Sequence, residues 1–194
     1  MLAGWRFVKR TRWLLIAGVI GLAGVCLEAS SRFEPAALAP PPGPLVLDRH
    51  GEILRLVTDS QGRKAVSLPE GPLPAALAAA FVAAEDQRFW QHPGVDVIAV
   101  ARAFGQNITA GRIVSGASTI TQQLARLTYP GPRTYRRKLL EMVRSLRIER
   151  TLSKEEILRA YLNQVPLGYN MVGVESAALG YFGKPAAALS AAQA

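Results

Sequence analysis

From Leu73 to Gly183 the chain is cut into six segments of helical periodicity, each with its own start or stop signal. Pro74 stands where a first-turn proline is favoured, and Leu73, Leu77, Phe81 and Ala84 mark one buried stripe. "DVIAVARAFGQNITAG" is closed by Gly111. In "SGASTITQQLARLTYPGP", Thr119 and Gln122 have capping-box spacing, Ile120, Leu124 and Leu127 line one face, and Pro130 stops the helix. "PRTYRRKLLEMVRSLRIERTL" is longer, "SKEEILRAYLNQV" opens on a second capping box at Ser153 and Glu156, and "GVESAALGYFG" ends at Gly183. Leu162, Val165, Val174, Ala177 and Ala178 read as core, Asn163 as a cap for a buried backbone group, and Gly168 and Gly173 as turn residues. Upstream, "LVLDRHGEILRLV" predicts a small β-hairpin turning near His50-Gly51. With no internal repeat and only helical patterns after the hairpin, the expected fold class is mainly α.

The N-terminus decides where that body works. Arg6, Lys9, Arg10 and Arg12 precede an uncharged run from Trp13 to Leu27. At about 1.5 Å per residue the run covers about 22 Å of a roughly 30 Å hydrocarbon core, and flanking arginines and Trp13 can make up the difference. No small-x-small cleavage site follows, so the run reads as an uncleaved anchor. Basic residues stay on the cytoplasmic side, which exports the rest. The expected divisions are a basic tail at 1–12, a transmembrane anchor at 13–29, a Pro-rich linker at 30–44 and a folded domain at 45–194. The last residues, "LSAAQA", read as the start of another helix, so a C-terminal truncation is expected.

A net charge of +9 implies an anionic partner. Export argues against nucleic acid and for an envelope substrate. Cys26 is the only cysteine, which rules out an intrachain disulfide and a thiolate metal cluster. Two histidines, His50 and His92, are too few and too poorly partnered for a metal site. The acceptor-like Asn107-Ile108-Thr109 falls in mid-helix and is discounted.

Three stretches carry chemistry. In "AAEDQRFWQHPGVD" two carboxylates, Glu85 and Asp86, end an apolar helix, where the macrodipole is negative. They suit a solvated helix end, or a general base at Glu85 stripped of water by its apolar helix, with Asp86 and His92 orienting it. In "GASTITQQLAR" a glycine precedes a helix N-terminus bearing Ser118 and Thr119, an ordinary cap or an anion site, with Arg126 two turns on. In "YRRKLLEMVRSLRIER", Arg137 and Glu141 are at i,i+4 and Lys138 and Glu141 at i,i+3. That is a solvated ion-pair face, or a cationic wall with one carboxylate in it, suited to a diphosphate.

Taken in order, "EDQRFWQHPGVD", "GASTITQQLAR", "RKLLEMVRSLRIER", "KEEILRAYLNQVPLG" and "AALGYFGK" resemble five motifs of the peptidoglycan glycosyltransferases of glycosyltransferase family 51. These are the transglycosylase domains of class A penicillin-binding proteins and their monofunctional relatives. The resemblance runs from about Leu45 to the last residue, and "SGAST…ARLTYPGPRT" is nearest the 1C type of that class. It implies a lysozyme-like, mainly helical fold with a membrane-dipping subdomain. It implies polymerisation of lipid II into glycan strands at the outer face of a bacterial inner membrane, by inverting transfer with release of the lipid diphosphate.

Carried over by position, Glu85 is the general base and Glu141 the second carboxylate, near the leaving group. Asp86, Phe89 and His92 complete the first-motif pocket. Gly116, Ser118, Thr119, Gln122 and Gln123 shape the donor and phosphate region, and Arg126, Arg137 and Lys138 hold the diphosphate. The family commonly has lysine where Arg126 stands, and arginine keeps the charge in a forked geometry. No cofactor is required, with room for a divalent cation, Mg or Mn. Partners implied are lipid II, the growing strand, the membrane and other wall-synthesis proteins. Class A members also carry a Ser-x-x-Lys transpeptidase domain, and no Ser-x-x-Lys occurs in this chain. Two other readings stay open: a lytic enzyme cleaving glycan on a similar fold, and an inactive membrane-tethered binding module.

Overall fold

A computed structural model of the chain describes residues 35–38, 43–51, 53–112 and 116–194. The basic tail, the anchor expected at 13–29 and most of the linker lie outside these residues. Within the linker, Pro35–Leu38 forms a 3-10 turn. Leu38 is buried in the core, and its carbonyl accepts from Gln164 Nε2.

The expected hairpin is β1 (Leu45–Leu47) against β2 (Ile53–Leu56), antiparallel, with an irregularity between Val46 and Leu47. Gly51, at φ +84°, takes the left-handed conformation its turn requires. The expectation that only helices follow needs correction. β3 (Lys64–Ala65) pairs in parallel with β4 (Met171–Val172), joining segments more than 100 residues apart. Each strand has two residues, too short to leave a period-2 pattern.

Among the described residues, six α-helices make up the body: α1 (Ala75–Glu85), α2 (Val97–Ala110), α3 (Ile120–Thr128), α4 (Tyr135–Thr151), α5 (Lys154–Gln164) and α6 (Val174–Phe182). Local signals account for their ends. Ser153 and Glu156 form the expected capping box, and Gly111 and Gly183 close α2 and α6 in the left-handed conformation. Asn163 Oδ1 accepts the Leu68 N–H at 2.8 Å, the backbone cap expected of it.

α3 is the centre of the packing and touches both α4 and α5. Ile120, Leu124, Ile148, Ile157, Leu158 and Leu162 have no exposed surface. Burying each side chain stabilises the fold by about 1.5–3 kcal/mol relative to exposure. The α1 stripe is narrower than expected. Leu77 is buried, Leu73 and Phe81 pack partly against the core, and Ala84 is exposed. α2 stands apart, burying only Ala99 and Ala103. Val97, Ile98, Phe104 and Ile108 are 57–72% exposed along it. Among the described residues no helix is long and apolar enough to cross a membrane.

The loop between α1 and α2 crosses α4 at Gly94, whose φ is +94°. A Cβ there would sit 2.9 Å from the Ser145 carbonyl carbon and oxygen. Gly94→Ala is therefore expected to destabilise the domain by about 1–3 kcal/mol, through overpacking and a disfavoured φ. The urea midpoint measures this, and an unchanged midpoint would show that the crossing is loose.

Candidate active site

The two carboxylates that end α1 do different jobs. Asp86 is buried. Both its oxygens lie 3.0 Å from His92 Nε2, and Oδ2 also accepts the Ile120 N–H at 3.0 Å. Ile120 is the first residue of α3. The charge that looked misplaced at the C-terminus of α1 thus sits at the N-terminus of α3, where the macrodipole favours an anion. His92 Nδ1 accepts the Gly94 N–H at 3.2 Å. This puts the proton of the neutral ring on Nε2, which donates to Asp86.

Glu85 is exposed. The desolvation expected from an apolar helix does not reach it, because most of the α1 surface around it faces solvent. Its Oε2 accepts Gln123 Nε2 at 2.8 Å.

The start of α3 is braced from several sides. Thr119 Oγ1 donates to the Gly94 carbonyl at 2.6 Å and accepts the Gln122 N–H at 3.2 Å. Only half of the expected capping box forms, since Gln122 turns its Oε1 to Lys138 Nζ, 3.0 Å away. Asp86 accepts a different donor at the start of α3, the N–H of Ile120. Phe89 is fully buried, with Lys154 Nζ 4.4 Å from its ring centroid. That ammonium also donates to the His92 carbonyl and to Glu149 Oε1, each at 2.7 Å, and Thr121 Oγ1 donates to the same Glu149 oxygen at 2.5 Å. Asp86, Phe89, His92, Thr119 and Gln122 are therefore the buried frame of the site.

Two clefts flank that frame. One, of about 430 Å³, is lined by Glu85, Arg88, Arg102, Gly116 and Ser118 among others. The other, of about 570 Å³, is lined by Ser118, Arg126, Arg133, Arg137, Lys138 and Glu141 together with Thr134 and Tyr135. Ser118 belongs to both, so the clefts meet there. Its Oγ accepts Lys138 Nζ at 2.8 Å. Glu141 is buried, 3.4 Å from Arg137 Nε and 3.5 Å from Lys138 Nζ. Burial pushes the Lys138 ammonium below its ordinary value, Glu141 opposes this, and Arg126 adds to it. An arriving anion would relieve that crowding of cations.

Asp86, His92 and Asp96 bring ligand atoms within 4.8 Å of one another. The set does not suit Mg or Mn. Asp86 is occupied by Ile120 and His92, and Asp96 Oδ1 accepts the Ala99 N–H at 2.9 Å. Arg88 Nε, 3.3 Å from Asp96 Oδ2, already supplies the positive charge.

Sequence reasoning passed over Tyr161, Lys154, Glu149 and Asp96. Tyr161 precedes Leu162, the first of the residues read as core in its stretch of sequence, and it is itself 1% exposed. The available signal was its hydroxyl, since a buried tyrosine usually finds a partner.

The domain is mainly helical, with an exposed carboxylate in one cleft and a cationic cleft adjoining it. The sequence model of the transglycosylase family matches residues 50–194, and the chain belongs to that family. It is 38% identical over 189 residues to penicillin-binding protein 1C of Escherichia coli, covering 96% of this chain and 24% of that protein. It is 45% identical over 146 residues to penicillin-binding protein 1A of Aquifex aeolicus, covering 75% of this chain and 20% of that protein. The chain thus spans about a quarter or less of the length of these relatives.

Burial pushes the Asp96 carboxyl up, but the Ala99 N–H and the charge of Arg88 outweigh this and hold it below the ordinary 3.8. A depressed carboxyl contributes stability that is full above its unfolded value and is lost as pH falls through the folded one. Asp96→Asn should therefore lower stability at neutral pH and flatten its decline below about pH 4. Urea midpoints of both proteins across that range measure it, and parallel curves would remove the assignment.

Proposed function

We propose that the chain is the glycosyltransferase part of a membrane-anchored peptidoglycan polymerase, joining lipid II into glycan strands outside the bacterial inner membrane. The observation that carries this reading is the meeting, at Ser118, of the cleft holding Glu85 with the cleft lined by Arg126, Arg137 and Lys138. An acceptor sugar hydroxyl bound beside Glu85 gives its proton to that carboxylate as its oxygen attacks the anomeric carbon of the donor. The carbon–phosphate oxygen bond breaks on the opposite face, and the electron pair leaves with the lipid diphosphate. The product is inverted and no covalent intermediate forms. The leaving group is already acidic, so cations do the work of a general acid. Glu141, wedged between Arg137 and Lys138, orients those cations at the leaving group. A lytic enzyme acting on finished glycan has no diphosphate for that cleft to hold.

The finer features follow the same reading. The fold is lysozyme-like, residues 13–29 are a single-pass anchor, and other wall-synthesis proteins are working partners. The exposed apolar face of α2, with Ile98, Phe104 and Ile108, suits the bilayer that holds the substrate's lipid.

Glu85→Gln is expected to lower turnover of labelled lipid II by about 10²–10⁴-fold, the range of general-base catalysis, with an unchanged unfolding midpoint. Wild-type turnover in that variant would remove Glu85 as the base. Phe104→Asp should weaken co-sedimentation with phosphatidylglycerol vesicles by about ten- to a hundredfold, since burying a large apolar side chain is worth about 1.5–3 kcal/mol. Equal sedimentation would detach α2 from the membrane reading.

A further inference from the structure

The side chain that holds Glu85 is itself held. Gln123 Nε2 donates to Glu85 Oε2 at 2.8 Å, and the Tyr161 hydroxyl donates to Gln123 Oε1 at 3.2 Å. Chemistry sets the direction of this relay. An ionised carboxylate only accepts, so Gln123 must turn its NH₂ towards Glu85. Its carbonyl then faces α5, where a donor is needed, and the phenol of Tyr161 is one. Tyr161 is almost fully buried, with its ring edge-on to Phe81, one turn before Glu85 on α1, at 6.1 Å and 77°. Its hydroxyl is therefore aimed by packing.

We propose that Tyr161 and Gln123 are positioning residues for Glu85: the phenol locks the Gln123 amide, and the amide ties Glu85 Oε2, leaving Oε1 as the oxygen that receives the proton. This rests on the reading of Glu85 as the base. Among the described residues no hydrogen bond occupies Oε1. Burial first, and then the charge of Glu85, push the Tyr161 phenol up to about 12, against the opposing charge of Arg126. It thus remains a protonated donor wherever Glu85 is ionised and the protein is folded. The other charged groups around Glu85 are Asp86 and Arg88 in the following turn, and Asp96 and Arg102 across the cleft.

The test uses the full-length, detergent-solubilised protein with labelled lipid II. Tyr161→Phe keeps the ring and removes only the donor. The expected result is a fall in kcat of about tenfold, a small part of the 10²–10⁴-fold attributed to a general base, with KM nearly unchanged. The acid limb of the kcat/KM profile should move to higher pH, because the ionised carboxylate loses a positioned donor. Gln123→Ala should show the same signature, and the double variant should be no worse than Gln123→Ala alone, since Tyr161 acts through Gln123. Full additivity of the two losses, or an unmoved acid limb in both single variants, overturns the relay. If Glu85→Gln is inactive while Tyr161→Phe behaves as wild type, the relay fails and the base reading stands. If Glu85→Gln retains wild-type turnover, the base reading itself fails. Should Tyr161→Phe lower the unfolding midpoint below the assay temperature, the acid limb of Gln123→Ala decides alone.

Discussion

One buried carboxylate organises this domain. Asp86 accepts from the first N–H of α3 and from the His92 ring, and so pins a helix start to the loop that follows α1. A buried anion is tolerable only when its lone pairs are filled, and here a helix N-terminus and a polarised imidazole fill them. The neighbouring Glu85 inherits its position from this joint. Because Asp86 is turned inwards, the residue before it ends α1 on the outer side, in reach of Gln123.

The joint is reinforced from a second direction. Lys154 lies over Phe89 and bonds to both the His92 carbonyl and Glu149, while Thr121 of α3 reaches the same glutamate. Four segments therefore share one connected set of polar contacts beneath the clefts. Removing one member would leave others buried without partners, so the frame resists deformation more than its individual bonds suggest. The residues above it remain accessible: Glu85 on one side, and Ser118, Arg126 and Lys138 on the other. A rigid floor under exposed charged groups suits chemistry in which positioning and electrostatics carry most of the rate.

Charge is distributed with the same economy. Four of the chain's 23 arginine and lysine side chains line the cleft around Glu141. Burial lowers the Lys138 ammonium first, Glu141 opposes this, and the charge of Arg126 adds to the lowering. Glu141 keeps the cluster from repelling itself apart and occupies only part of its hydrogen-bonding capacity.

Local interactions made much of this legible beforehand. The capping box at Ser153 and Glu156, the glycine closures at Gly111 and Gly183, the hairpin, the Leu124 face of α3 and the Asn163 cap all involve signals readable within a few residues of sequence. Of the charged residues that line the two clefts, Glu85, Asp86, Arg126, Arg137, Lys138 and Glu141 were also singled out beforehand, through the order of their motifs. What the sequence could not reveal were pairings across distance. Asp86 accepts the first N–H of α3, from 34 residues away. Lys64 pairs with Met171, and Tyr161 reaches Glu85 through Gln123. Periodicity and capping report on the backbone's nearest neighbours. Only the packed structure decides which side chain, among several of suitable chemistry, arrives at a given buried donor. Sequence by itself therefore determined the helices and the chemical inventory, and the tertiary structure decided which carboxylate supports the fold and which one faces the cleft.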